Sequence, residues 1–182
     1  VEPPDLWSSR LPAKYREVGP RVELHPMGDE PVLQGATYVE APGTEGLPIA
    51  WWFYEEQRAS VKRFIAAAGY PLEEIGPHGV TFDDMRRGCF DPVARVADMD
   101  LNHVEAAINY PNIFPRFAGQ GFLEREDKDL ALACLRIYND WMIDEWCGGD
   151  AKGRLIPLTL VPLWDPALAA EEVRRCVAKG SY

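Results

Sequence analysis

Arg86 and Arg87 are adjacent cations just before Gly88-Cys89-Phe90-Asp91-Pro92. They read either as a solvated loop pair or as a clamp on a planar carboxylate, because the guanidinium fork matches such an anion in two parallel hydrogen bonds. Asn109, Tyr110 and Asn112 end one apolar run, and Pro162 and Trp164 end another. If those runs are parallel strands, polar and aromatic groups at their carboxyl ends face the place where α/β enzymes hold substrate. The plain alternative is turn chemistry, since Tyr110-Pro111-Asn112 stops a strand well in any protein. Arg86, Asn109, Tyr110 and Trp164 are the candidate substrate-binding residues.

Metal and nucleophile chemistry have weaker material. His25, His78 and His103 stand at no ligand spacing from one another, and Cys89, Cys134, Cys147 and Cys176 form no CxxC pair. His103 lies just before a strand, at the end opposite to a barrel active site. GxGxxG after a strand, GxxxxGK[ST], GxSxG and HExxH are all missing, which removes the main sequence support for nucleotide binding and serine hydrolysis. Arg95 reads as structural, reaching from a helix to Asp91 or Asp98. Asp144 and Glu145 sit near a helix carboxyl end, where they oppose the macrodipole and need compensation from Arg154 or Lys152.

The elements that must position these groups are clearest in the second half. Residues 104–110 (VEAAINY) form a short strand-like run with β-branched and aromatic members. Next comes DKDLALACLRIYNDWMIDEWC, in which Leu130, Ala133, Cys134, Ile137 and Trp141 share a face at helical spacing. Residues 154–164 (RLIPLTLVPLW) are apolar without alternation, as in a strand covered on both faces. Asp165 as N-cap and Pro166 at the first helical position open a helix that stops at Gly180. Asp91-Pro92 opens an earlier helix in the same way, carrying Val96 and Met99 inward. Strand, helix, strand, helix predicts a parallel sheet with helices outside it, because parallel strands need a long crossover.

The first ninety residues read as cover on that unit. Asp5 caps an amphipathic helix with Leu6, Trp7, Leu11 and Tyr15 on its buried side. Residues 21–40 resemble a hairpin turning at Gly28-Asp29. Trp51, Trp52, Phe53 and Tyr54 stand together, as a core or interface patch or as a substrate-binding wall. Residues 60–76 contain a short helix ending at Gly69.

Composition sets the class. A net charge of −10 leaves no basic stripe for nucleic acid, although a small anion needs only one or two local cations. Hydrophobic content of 47% with 26% charged residues is ordinary for a soluble globular protein, and no apolar run is long enough for a membrane span. Scattered cysteines without a disulfide framework fit a reducing cytoplasm.

Four stretches then resemble, in order, the amidohydrolase-related metal-dependent hydrolase family that includes aminocarboxymuconate-semialdehyde decarboxylase-like enzymes. They are EPPDLWSSRLP, GCFDPVARVADMDLNHVEAAINYPN, LALACLRIYNDWMIDEW and GRLIPLTLVPLWDPALAAEEVRRCVAKG. The resemblance implies an α/β chain that is the N-terminal part of a (β/α)8 TIM barrel. Residues 1–182 would form one incomplete domain, with 21–80 as an inserted cover and 81–182 carrying the β/α units. It also implies a divalent metal, usually zinc, at the barrel mouth, with every ligand outside this segment. The activity implied is hydrolysis, or nonoxidative decarboxylation, of a small cyclic or aromatic carboxylated molecule. The implied assembly is a homo-oligomer that needs the remainder of the barrel. An arginine before the Cys-aromatic-Asp-Pro start binds the substrate carboxylate in the decarboxylases, and Arg86 stands nearest that place. The rival reading is a noncatalytic binding or scaffold subunit that docks through residues 51–54.

Overall fold

The computed structural model describes residues 1–29, 32–34, 37–112 and 115–181. Leu6 to Leu11 form turns rather than the expected regular helix, held by bonds such as Leu11 N–H to the Trp7 carbonyl at 2.8 Å. Pro12 cuts the stretch short, since it offers no N–H and its ring crowds the carbonyl four residues back. Its apolar side is placed as expected: Leu6, Trp7 and Leu11 are all buried.

Five strands follow: β1 (Arg21–Pro26), β2 (Val32–Gln34), β3 (Thr37–Val39), β4 (Pro48–Tyr54) and β5 (Gln57–Ser60). The hairpin expected at Gly28-Asp29 is not the pairing found. β1 runs antiparallel to β4, with Arg21 opposite Phe53 and His25 opposite Ile49. β5 covers the other edge of β4, and β2 pairs with β3 alone. Residues 30, 31, 35 and 36 of that stretch lie outside the described residues.

β4 explains the aromatic cluster. Side chains alternate across a strand, and here both faces are covered. Ala50, Trp52 and Tyr54 enter the main core, whereas Ile49, Trp51 and Phe53 form a second one with Met27. The patch from Trp51 to Tyr54 is therefore interior, not an exposed docking face. Residues 60–76 contain only short 3-10 turns, at Arg63–Ala66 and Leu72–Glu74.

The second half holds the helices. Helix α1 (Pro92–Leu101) starts on Asp91, whose Oδ1 accepts from the Val93 and Ala94 amides at 2.9 and 3.0 Å. Strand β6 (Ala107–Asn109), the short α2 (Gln120–Leu123) and α3 (Lys128–Trp141) come next. α3 continues through a π-helical turn, Met142–Trp146. Strand β7 (Leu155–Pro157) leads to α4 (Pro166–Lys179), capped by Asp165 and ended by Gly180 at φ +101°, a left-handed cap that glycine adopts without strain.

β6 and β7 are parallel, with Ala107 opposite Leu155 and Asn109 opposite Pro157. Both are shorter than the runs 104–110 and 154–164. Pro157 and Pro162 lack the amide a ladder needs. Leu160 instead gives its N–H to Asn139 Oδ1 and its carbonyl to Asn139 Nδ2, each at 2.9 Å. A buried side chain thus does the work of a neighbouring strand.

The acidic helix end is compensated, but by other partners than Arg154 or Lys152. Lys179 reaches Asp144 at 2.6 Å and Arg10 reaches Glu145 at 2.9 Å, while Arg154 holds Asp100. No helix among the described residues is long and apolar enough to cross a membrane.

Candidate functional site

The carboxyl end of β6 opens into a cavity of about 270 Å³. Asn109, Tyr110 and Asn112 reach it from β6 and the turn after it, Arg95 from α1, and Tyr138 from α3. Glu2 closes it from the N-terminal segment, with Trp141 and Trp146 adding aromatic wall.

Asn109 is a frame member. Its Oδ1 accepts from Trp146 Nε1 at 3.0 Å, and its Nδ2 donates to the Ala107 carbonyl at 3.0 Å and the Ile156 carbonyl at 3.4 Å. Those bonds tie β6, β7 and the π turn together and leave the amide little freedom to turn toward a ligand. Tyr110 is exposed and stacks on the equally exposed Phe117, ring centroids 6.4 Å apart. Glu2, only 4% exposed, accepts the Asn112 amide on Oε1 at 2.9 Å.

Arg95 departs from expectation. It makes no ion pair with Asp91 or Asp98, and its buried Nε has no partner among the described residues. Arg87 holds Asp91 at 2.8 Å, and Arg86 takes both oxygens of Asp98, at 2.8 and 2.5 Å. Gly88 makes that second pair possible, since a Cβ there would sit 2.3 Å from Asp98 Oδ2. Arg86 and Arg95 also border a neighbouring cavity beside Gly69 and Asn102.

Tyr138 completes the wall. It is 1% exposed, and its hydroxyl has no hydrogen-bond partner among the described residues. Burial first, and the Glu2 carboxylate second, push its pKa well above the usual phenol range, so it stays protonated.

Of the four candidate substrate-binding residues, Asn109 and Tyr110 are brought together here. Arg86 is held by Asp98 and borders the neighbouring cavity, not this one. Trp164 lies on the segment after β7 and packs on the core, with the Lys128 ammonium 5.4 Å from its ring centroid, and it does not line the cavity. Arg95 and Tyr138 were not singled out as site residues, yet Arg95 carries a legible signal. It stands four residues before the buried Met99, so it is a cation on the inward face of an amphipathic helix.

Among the described residues no group of three or more His, Cys, Asp or Glu could hold a metal ion. His25 is engaged with Glu23 at 2.9 Å. The described residues therefore do not hold the divalent metal that the resemblance implies. Burial makes three of the four cysteines poor nucleophiles, because it raises the thiols of Cys134, Cys147 and Cys176, that of Cys147 to about 12.

No family model matches the chain, and no curated protein matches it. Among solved structures, an amidohydrolase from Mycobacterium avium subsp. paratuberculosis K-10 matches 99% of this chain with a TM-score of 0.59 and 19% sequence identity. The chain spans 45% of the length of that protein. At this identity the likeness is one of fold: a mixed α/β chain with small sheets, arranged as in part of an amidohydrolase.

Proposed function

We propose that this chain forms part of a (β/α)8 barrel enzyme of the amidohydrolase type, acting as a metal-dependent hydrolase or nonoxidative decarboxylase on a small cyclic or aromatic carboxylated molecule. One observation carries the reading. The cavity with a cation and aromatic walls lies at the carboxyl end of a parallel strand, which is the end where barrel and open-sheet enzymes do their chemistry. The likeness of fold over nearly the whole chain supports it. A divalent metal belongs to the proposal, with ligands from residues other than those described.

In this reading the chain's own residues bind and orient. The buried Trp141 and Trp146 rings flank a planar substrate and keep water from it on that side, with exposed Tyr110 at the rim. Asn109 holds the strand ends in register, and the protonated Tyr138 offers a hydroxyl to an oxygen of the substrate. The binding-subunit alternative took its docking face from residues 51–54, and those side chains lie inside the two cores.

The test is turnover. The full-length enzyme that contains this chain, supplied with Zn²⁺ or Mn²⁺, is expected to hydrolyse at least one carboxylated cyclic amide or ester, or to release CO₂ from a carboxylated aromatic, and to lose that activity with a chelator. Silence across both substrate series at either metal would contradict it.

A further inference from the structure

We infer that Arg95, rather than Arg86, holds the substrate's carboxylate, and that Glu2 limits the site to monocarboxylates. The inference rests on the proposed reading of this cavity as the substrate site and assigns its recognition chemistry.

Arg86 is poorly placed for the task. Its Nε and Nη2 already form a two-pronged pair with Asp98, and a substrate carboxylate would have to displace a carboxylate held in the same geometry. Arg95 is in the opposite condition. Asp98, on the same helix, feels the charge of Arg95, but both of its oxygens are occupied by Arg86, and Arg95's Nε is buried without a hydrogen-bond partner among the described residues. A buried donor left unpaired is costly, more so when charged, and an anion entering the cavity relieves that cost. Tyr138, whose protonated hydroxyl is also unpartnered among the described residues, stands in the same wall and supplies a second donor. A cavity of about 270 Å³ with Tyr110 and Trp141 beside it suits a single planar ring.

Glu2 sets the limit. Its carboxylate faces the same cavity, and among the described residues only one of its oxygens is hydrogen-bonded, to the Asn112 amide. Glu2 is an acidic group and Arg95 a basic one in the same wall. A monocarboxylate pairs with Arg95 and fits, whereas a second carboxylate on the ring meets Glu2 in a poorly hydrated space, where like charges repel strongly.

Binding of benzoate and of phthalate, followed by tryptophan fluorescence from Trp141 and Trp146 and by calorimetry, decides the matter. Wild-type protein is expected to prefer benzoate by about tenfold or more, the scale of one unfavourable charge contact. Arg95→Met should weaken benzoate by about ten- to hundredfold, Arg95→Lys should recover part of the loss, and the double variant Arg86→Met/Asp98→Asn, which removes the pair without freeing a carboxylate for Arg95, should stay within about twofold of wild type. Glu2→Gln should narrow the gap between the two acids. Equal thermal midpoints for the Arg95 variants and wild type establish that the loss is one of recognition. The inference is overturned by unchanged benzoate binding in Arg95→Met, by an equal loss in Arg86→Met/Asp98→Asn, by phthalate binding as tightly as benzoate, or by no wild-type binding at millimolar benzoate. Turnover that survives Arg95→Met would remove Arg95 and leave the enzyme reading intact. Arg95-dependent binding without turnover of any acid would do the reverse.

Discussion

Replacing Asn139 by leucine is expected to lower the unfolding free energy by about 3–5 kcal/mol, because it strands several buried polar groups at once. The carboxamide, 1% exposed, makes three bonds: two with the backbone of Leu160 at 2.9 Å, and one donated to Glu172 Oε1 at 2.8 Å. Leucine has nearly the same volume, so the loss comes from polarity and not from a cavity. The Leu160 amide and carbonyl would have no partner in the core, each at about 1–3 kcal/mol. Glu172, fully buried between α3 and α4, would keep Arg175 at 2.7 Å and Arg136 at 3.2 Å but lose its only neutral donor from α3. The same network governs acid stability. Burial alone would raise the Glu172 pKa, but the Arg175 guanidinium and the Asn139 amide outweigh it and hold the carboxyl at about 2. The unfolded chain, with a glutamate pKa of about 4.3, takes up the proton first. This contribution is complete above about pH 4.5 and is lost as the pH falls toward 2. Urea midpoints at pH 7 and pH 3 check both points: a lower midpoint for Asn139→Leu at pH 7, and a smaller further drop at pH 3 than wild type shows.

Trp7→Ala carries a comparable cost, about 3–5 kcal/mol, for a different reason. The indole is fully buried, lies edge-on to Trp52 at 5.4 Å and Phe122 at 6.5 Å, and donates Nε1–H to the Cys134 carbonyl at 2.9 Å. It thus joins the N-terminal segment to β4 and to the middle of α3. Alanine leaves a void that these rings cannot close, and aromatic pair energy is lost with the burial. Trp7→Phe keeps most of the bulk and should cost less than half as much. Because Glu2 stands five residues upstream, the variant should also loosen the cavity wall. Faster proteolysis within residues 8–16 and a weaker preference for benzoate over phthalate are the expected readouts, measured well below the unfolding midpoint.

What could be read in the sequence was local. The Asp-Pro starts of α1 and α4 and the Gly180 stop are decided by neighbours within four residues, so their chemistry is visible in a string of letters. The parallel relation of β6 and β7 followed from the helix between them. β1 finding β4, across the intervening β2–β3 pair, is a non-local choice made by two buried faces, and the Gly28-Asp29 turn signal pointed elsewhere. Residues 154–164 looked like one long strand because Leu158, Leu160 and Val161 are apolar, while the partner that satisfies Leu160 is a side chain on another element. The site divides in the same way. Asn109 and Tyr110 were legible as strand-end residues. Arg95 was hidden by the assumption that a helix arginine pairs with the nearest carboxylate, and Arg86 and Arg87 take those carboxylates first. Tyr138 gave no signal beyond its helical phase.

The central claim is that a small carboxylic acid binds at the carboxyl end of β6. Amide and side-chain shifts in a ¹H–¹⁵N spectrum during a benzoate titration test it most directly. The account expects saturable shifts at Asn109, Tyr110, the Arg95 Nε–H and the Trp141 and Trp146 indoles, with the loop around Met27 and Gly43 unmoved. Shifts confined to that loop, or none at saturating benzoate, would contradict it.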